Sequence, residues 1–337
     1  MRQKDVTMRD VASRAGVSIG TVSRHIHGAP LKEATRERVE QAIRELGYEP
    51  DSRKQDVAQP TLTVGAVLPF FDSFHMGIIS ALEKIMYRKQ YNLILAEYED
   101  DEDALESKIR FLRQRYTDGF VCSPLSSDLP IVRSLRGSRI PMVSFNNRVP
   151  SWQCDHVHVN DRDSVFRATE YLVSMNHRRI GFVGAHDGSN TAHERENGFK
   201  DAIQKMGLSS ELCPLQFGDW RREQSGYSAA RNLFSRIPRP TAVITANYIL
   251  AFGVLAYMQE HGIAVGEEVS VISFDDTEVF KLTKPGITSL RQPLDQIAVS
   301  IADILFRRLS GDWSDYPTIV ELSTELVVRG SVQRAPT

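Results

Sequence analysis

From residue 62 onward, short apolar runs alternate with amphipathic segments, and this alternation constrains the fold more than any other feature of the chain. TLTVGAVLP (61–69), NLILAEYE (92–99), DGFVCSP (118–124), PMVSF (141–145), HVHVN (156–160), RIGFVG (179–184), TAVITA (241–246) and VSVISFDD (269–276) read as buried strands. IISALEKIMYRK (78–89) and ESKIRFLRQRY (106–116) lie between the first of them, with apolar residues at helical spacing. Strands that alternate with helices predict an α/β fold of doubly wound parallel sheets, with helices on both faces. Sheets of this kind bind ligands in the crevice beyond the carboxyl ends of their strands. Two of them joined by a hinge would enclose a small molecule between two lobes.

The first 50 residues follow a different pattern. Asp10-Val-Ala-Ser-Arg-Ala-Gly-Val-Ser18 reads as a short amphipathic helix and then a stop, with Val11, Ala12 and Ala15 on one face. Gly16 stands at the turn, where a left-handed backbone is open to glycine without steric penalty. Ser18 is placed to cap a second helix, Ile19 to about His27, with Val17 and Val22 as its buried contacts. Ala12 is small where the two helices cross. A third helix runs from about Ala34 to Leu46, with Val39, Ala42, Ile43 and Leu46 inside; Gly47 ends it and Pro50 keeps it from resuming. Helix, glycine turn and capped helix in close succession is helix-turn-helix geometry. Opposite Val22, the side chains of Ser18, Thr21, Ser23, Arg24 and His27 make a polar face suited to phosphates and base edges.

The charge distribution agrees. Residues 1–38 carry eight Lys/Arg against four acids, a local +4 that leaves −6 on the rest of a chain of net charge −2. A small basic module on an acidic body fits a protein that meets phosphate at one end only. Residues 51–60, DSRKQDVAQP, are polar, end in Pro60 and read as a linker. Cys122, Cys154 and Cys213 are odd in number and widely spaced, which fits neither a zinc knuckle nor a disulfide framework. No apolar run approaches the ~20 residues of a membrane helix, and the opening MRQKDVTMRD lacks the apolar stretch of an export signal. The chain is therefore expected to be cytoplasmic, with no membrane partner and no cofactor.

Taken together, Val6-Thr-Met-Arg-Asp-Val-Ala-Ser-Arg-Ala-Gly-Val-Ser-Ile-Gly-Thr-Val-Ser-Arg24, Thr35-Arg-Glu-Arg-Val39 and Leu46-Gly-Tyr-Glu-Pro50 resemble the LacI/GalR repressor family. The resemblance implies that Ile19, Gly20 and Arg24 face major-groove bases, while Thr7, Ser18, Thr21, Ser23 and His27 hold the DNA backbone. His25 stands where the family usually has an apolar residue, His27 where it has asparagine, and Lys32 where a serine cap is common. In the family the linker folds on DNA into a hinge helix whose leucine wedges into the minor groove. Asp51, Lys54, Gln55 and Val57 occupy those positions here. Val57 would be a smaller wedge; the other reading is a flexible tether.

Asn176-His-Arg-Arg-Ile-Gly-Phe-Val-Gly184, Arg239-Pro-Thr-Ala-Val243, Val269-Ser-Val-Ile-Ser-Phe-Asp-Asp276 and Ser289-Leu-Arg-Gln-Pro293 extend the resemblance. They resemble the periplasmic-binding-protein type I fold that the same family carries. The implied domains are a DNA-binding domain at 1–50, a hinge at 51–61 and an effector-binding body at 62–332. Within the body, lobe 1 is about 62–162 and 291–322, and lobe 2 about 163–290. Arg195 matches the family's effector-binding arginine, whose rigid fork of donors suits vicinal hydroxyls or a carboxylate. Asp275, at a strand end, matches an acid that accepts hydrogen bonds from the effector. Asn247 is carried over similarly, although Tyr248 stands where an aspartate commonly follows it. Trp220 matches an aromatic that lies against a sugar ring or a base. Phe74 and Thr191 align with positions that touch the ligand in some members, and Asp161 belongs to an Asn160-Asp161 pair where Asp-Asn is usual. An acid at a strand end often just caps the next helix, and a lone tryptophan often just packs. Convergence at the carboxyl ends of strands is what joins these residues into one set.

His156 and His158 share one strand face as metal ligands would, but no third ligand has matching spacing, and they read as two half-exposed histidines. Neither a nucleophile elbow nor a phosphate-cradling loop occurs, and Gly181-Phe-Val-Gly-Ala-His-Asp-Gly188 reads as strand and turn. The expected protein is a repressor, not an enzyme, and a homodimer whose paired heads span a near-palindromic site on double-stranded operator DNA. Its operator affinity would be set by a small-molecule effector, a sugar or sugar derivative first and a purine second. The alternative, a solute-binding protein of a sugar transporter, would share the body but need an export signal and no DNA-reading module. An enzyme of sugar metabolism would need an acid/base or nucleophile pair.

Overall fold

The computed structural model describes residues 7–26, 31–46, 61–99, 101–114, 117–124, 130–185 and 188–335, and the chain divides into two units at residue 59. The first unit holds α1 (Met8–Ala15), α2 (Ile19–Ile26) and α3 (Glu33–Leu46). Thr7 starts α1 with a reciprocal cap: its backbone N–H and its hydroxyl both donate to Asp10 Oδ2, at 2.7 and 2.5 Å, and its Oγ1 accepts from the Asp10 N–H at 3.4 Å. Such a cap stabilises a helix by about 1 kcal/mol. Gly16 then takes φ 64°, the left-handed conformation that ends α1. The Ser18 hydroxyl accepts from the Thr21 N–H at 3.2 Å and opens α2. Val11, Ala12, Ala15, Val22, Val39 and Ala42 close the core, with Met8, Val17, Ile43 and Leu46 packed against it. His27, Gly47, Pro50, Val57 and the linker 51–60 lie outside the described residues.

The second unit winds strand and helix in turn. Its first part runs β1 (Thr63–Leu68), α4 (Ser73–Arg88), β2 (Asn92–Glu97), α5 (Glu102–Gln114), β3 (Gly119–Cys122), α6 (Pro130–Gly137), β4 (Met142–Phe145) and β5 (Asp155–Val159). The second part runs α7 (Asp161–Ser174), β6 (Ile180–Ala185), α8 (Asn190–Lys205), β7 (Leu215–Gly218), α9 (Glu223–Phe234), β8 (Ala242–Thr245), α10 (Tyr248–Glu260), β9 (Ser270–Phe274), α11 (Glu278–Leu282) and β10 (Thr288–Arg291). The chain then returns through α12 (Leu294–Leu309) and β11 (Ile319–Leu322) and finishes with β12 (Glu325–Val327). One sheet has the order β11-β5-β4-β3-β1-β2 and the other β12-β10-β9-β8-β6-β7. Every strand pair is parallel except β10 with β12. The chain passes between the sheets after β5, after β10 and after β11. β12 places residues 325–327 in the second sheet, beyond the 163–290 read from the sequence.

The sequence reading does not contain β7, β10, β11 or β12. Three of these are edge strands, half-buried or exposed along their length, so they carry little of the apolar run that marks a central strand. The return segment is instead fixed by charge. Arg308, fully buried on α12, donates through Nε and Nη2 to the two Asp155 oxygens at 2.9 Å each. Asp155 also accepts from the Thr318 N–H at 2.7 Å, so one carboxylate at the start of β5 anchors both α12 and the approach to β11.

Helices on the second sheet pack without intervening side chains where glycine allows it. A Cβ on Gly253 of α10 would lie 2.0 Å from the Glu223 carbonyl oxygen of α9, and one on Gly226 of α9 would lie 2.1 Å from the Leu250 carbonyl oxygen. Backbone cannot yield as a flexible side chain can, so Gly253→Ala should destabilise the protein by about 1–3 kcal/mol, the usual range for overpacking. A urea unfolding curve checks this, and an unchanged midpoint would contradict the close approach.

Candidate functional site

On the first unit, Ile19, Gly20 and Arg24 share the exposed face of α2, away from the buried Val22. Ile19 keeps 44% of its surface exposed, unusual for an isoleucine on so small a domain unless something covers it. Arg24 lies back along its own helix, its Nε donating to the Gly20 carbonyl at 3.4 Å. Ser18 and Thr21 bond each other through their hydroxyls at 2.9 Å. Ser23 is half-buried, and the Thr7 hydroxyl is taken up in the cap of α1. α3 starts without a serine cap; the Lys32 carbonyl accepts from Thr35 and Arg36 N–H instead.

In the second unit a cleft of about 540 Å³ opens where strand ends meet, within the range of about 300–1,000 Å³ usual for small-molecule sites. Phe74, Thr191, Arg195, Trp220, Asn247 and Asp275 all line it. Arg195 is its organising group. From α8 its Nε donates to Asp161 Oδ1 at 2.7 Å, its Nη1 donates to the Ala246 carbonyl at the end of β8, and its guanidinium lies 3.5 Å from the Phe274 ring centre. The Trp220 ring is 5.9 Å away on the same side of the cleft. Asp161 stands behind Arg195 as its counter-charge and is not on the wall. Burial pushes the Asp161 carboxyl above its ordinary range, and the guanidinium offsets this only in part.

Asp275 follows β9 with φ 67°, a left-handed backbone that is uncommon for a residue with a side chain. That conformation turns its carboxyl into the cleft, where it accepts from Gln292 Nε2 at 2.7 Å. Burial raises its pKa, opposed by Arg195 and Gln292. The neighbouring Asp276 turns the other way. Burial raises it too, but Arg329, Ser289 and Arg291 donate to it and bring it down to about 2. Asn247 caps α10, accepting from the Leu250 N–H at 2.9 Å, and its amide donates to the Trp220 carbonyl at 2.7 Å. It therefore does both things an Asn at a strand end can do. Thr191 presents a buried Oγ1 without a hydrogen-bond partner, and its N–H donates across the lobes to Asn147 Oδ1 at 3.2 Å.

Other wall residues were not picked out in the sequence. Asp72 caps α4 and holds His75, whose Nδ1 is 2.9 Å from Asp72 Oδ1 and whose Nε2 is 3.0 Å from Ser123 Oγ. Burial raises Asp72, but its hydrogen bonds with His75 leave it below its ordinary value. Asn146, Tyr248 and Gln292 complete the wall. Each follows a strand, so the rule that ligands gather at carboxyl ends was the signal that could have found them. His156 corrects the reading of two half-exposed histidines: it is buried, its Nδ1 2.8 Å from Ser144 Oγ, and its ring stacks on that of His158 at 5.1 Å. Burial lowers its pKa to about 3, so it stays neutral. Among the described residues no group of three His, Cys, Asp or Glu could hold a metal, and no helix is long and apolar enough to cross a membrane.

Comparison with known proteins places this geometry. The profile for bacterial regulatory proteins of the lacI family matches residues 7–51, and that for the periplasmic binding protein-like domain matches residues 169–332. The HTH-type transcriptional regulator CelR of Thermobifida fusca is 30% identical over 98% of this chain and 99% of its own. The HTH-type transcriptional repressor PurR of Vibrio atlanticus (strain LGP32) is 30% identical over 97% and 98%. The solved CelR–cellobiose complex superposes with a TM-score of 0.72 at 28% identity, covering 97% of this chain and 99% of that one.

The Arg195–Asp161 pair is buried on both sides, at 4% and 7% side-chain exposure. Arg195→Met should destabilise the protein by about 3–5 kcal/mol, because it leaves a carboxylate buried alone. The double variant Arg195→Met/Asp161→Asn should recover a large part of that loss in urea unfolding. Strictly additive losses would show that the two side chains are not coupled.

Proposed function

The chain belongs to the LacI family of bacterial regulatory proteins and is a DNA-binding transcriptional regulator, and from that premise we propose that a sugar or sugar derivative in its cleft sets its affinity for operator DNA. The observation that carries the proposal is Arg195, a buried guanidinium anchored on Asp161 and set beside Trp220 in a cleft also walled by Asp275, Asn247, Thr191 and Phe74. Carboxylate, guanidinium and amide groups bond ring hydroxyls, and an aromatic face covers the apolar side of the ring. The relative bound to cellobiose gives the same direction. A purine, which needs flat apolar faces on both sides, is the second reading, and the PurR relatives favour it.

On the DNA side, Ile19 and Arg24 read bases while Ser18, Thr21, Ser23, Thr7 and His27 hold phosphates, with Val57 in the hinge. The Gly20 position adds no side chain, so Arg24 carries most of the polar readout. The protein works as a homodimer, since two heads spanning a near-palindrome bind together. Tyr87 on α4 and Leu282 on α11, 76% and 80% exposed, offer apolar surface for a second copy. It acts in the cytoplasm by binding, not by catalysis, and the domain limits are 1–50, 51–61 and 62–332. The family assignment removes the transporter reading.

The test is fluorescence anisotropy on DNA from upstream of the protein's own gene, with and without neutral sugars. Arg24→Ala should weaken operator binding by about 1–3 kcal/mol. A sugar should shift the wild-type affinity by about fivefold or more, and Trp220→Ala should abolish that shift. An undiminished sugar response in Trp220→Ala, or wild-type DNA affinity in Arg24→Ala, would contradict the assignment.

A further inference from the structure

The cleft does not end at the residues around Arg195. Phe74, Tyr248, Asp275 and Gln292 also line a second hollow of about 1,630 Å³, open to solvent, whose other walls come from the start of α4, from α11 and from the start of α12. The two spaces therefore share a partition. Tyr248 holds it in place: its hydroxyl bonds Ser73 of the other lobe, and its ring meets Phe252 edge-on at 5.6 Å. On the wall of the second hollow, Thr277 Oγ1 is buried with no hydrogen-bond partner among the described residues. A buried hydroxyl without a partner is costly unless a ligand or water completes it.

Charge selects what can enter. Arg195 already holds Asp161 and Arg221 already holds Asp219, both at 2.7 Å. In the second hollow Arg291 is held by Asp276 at 2.7 Å and Lys281 by Glu278 at 2.6 Å. Among the described wall residues, every Lys and Arg thus has a carboxylate partner. Asp72 and Asp275 meet only neutral donors, from His75 and Gln292. A carboxylate or phosphate on the ligand would be buried beside these acids with no free cation to receive it.

We propose, on the reading that the cleft binds the effector, that the effector is an uncharged, hydroxyl-rich molecule longer than one sugar ring. One ring lies between Trp220, Arg195 and Asp275, and the remainder passes Tyr248 into the second hollow, where a ligand hydroxyl bonds Thr277. Of the sugars and sugar acids compatible with an arginine in the cleft, this selects neutral oligosaccharides.

Isothermal titration calorimetry on the full chain tests it, with glucose, cellobiose, maltose and glucose 6-phosphate as probes. Wild type is compared with Thr277→Val and Trp220→Ala. At least one disaccharide should bind about tenfold or more tighter than glucose, which is the free energy of one or two hydrogen bonds. Glucose 6-phosphate should not bind. Thr277→Val should cut the disaccharide's advantage over glucose by about three- to tenfold without lowering the thermal midpoint, because it removes a hydroxyl that has no partner in the unliganded protein. Glucose binding as tightly as both disaccharides, with Thr277→Val having no effect, would overturn the second subsite and leave the cleft reading intact. Tight binding of glucose 6-phosphate would overturn the uncharged class. If all four probes fail to bind, this proposal is overturned and the operator titration judges the cleft reading separately. Sugar binding that survives Trp220→Ala undiminished overturns both.

Discussion

The Arg195 guanidinium is the group on which the cleft depends. It cannot lose its charge, so once buried it needs acceptors on several sides. Asp161 at the first residue of α7 supplies one, the Ala246 carbonyl at the end of β8 another, and the Phe274 ring at the end of β9 covers its face. Three elements far apart in sequence are thereby held around one side chain. The remaining wall residues, Trp220, Asn247 and Asp275, follow the strands next to these and inherit their positions.

Contacts that cross between the lobes of the second unit include polar ones of modest strength: Thr191 N–H to Asn147, Gln292 to Asp275 and Tyr248 to Ser73. Hydrogen bonds of this kind contribute about 1 kcal/mol each and exchange readily with ligand or water. A ligand that bonds both lobes replaces several at once, which is how a small molecule biases a hinge between two states. The Arg308–Asp155 pair and the glycine-lined α9–α10 contact work oppositely, fixing elements within the fold that the hinge leaves alone.

Most of the fold was legible in the sequence because buried strands write themselves as apolar runs. Edge strands do not, which is why β7, β11 and β12 were missed: their side chains are half wet and their pattern is weak. The cleft was legible where a residue type is unusual for its place, as with Arg195 and Trp220. Asp72, His75 and Gln292 were not, since each makes a local hydrogen bond that any loop residue of its type could make, and only the fold brings them to one wall. Asp161 was read as a wall residue, and the structure gives it a different task, holding the arginine from behind. His156 was misjudged because alternation along a strand predicts which face a side chain takes but not whether α5 and α6 cover that face.

The central claim is that one ligand in the cleft and one operator on the helix-turn-helix unit are coupled. The most direct measurement is the affinity of the full chain for the sugar, taken with and without saturating operator DNA. Linkage requires the ratio of those two affinities to equal the ratio of operator affinities measured with and without sugar. The account predicts equal ratios that both differ from one. A sugar affinity indifferent to DNA would contradict it.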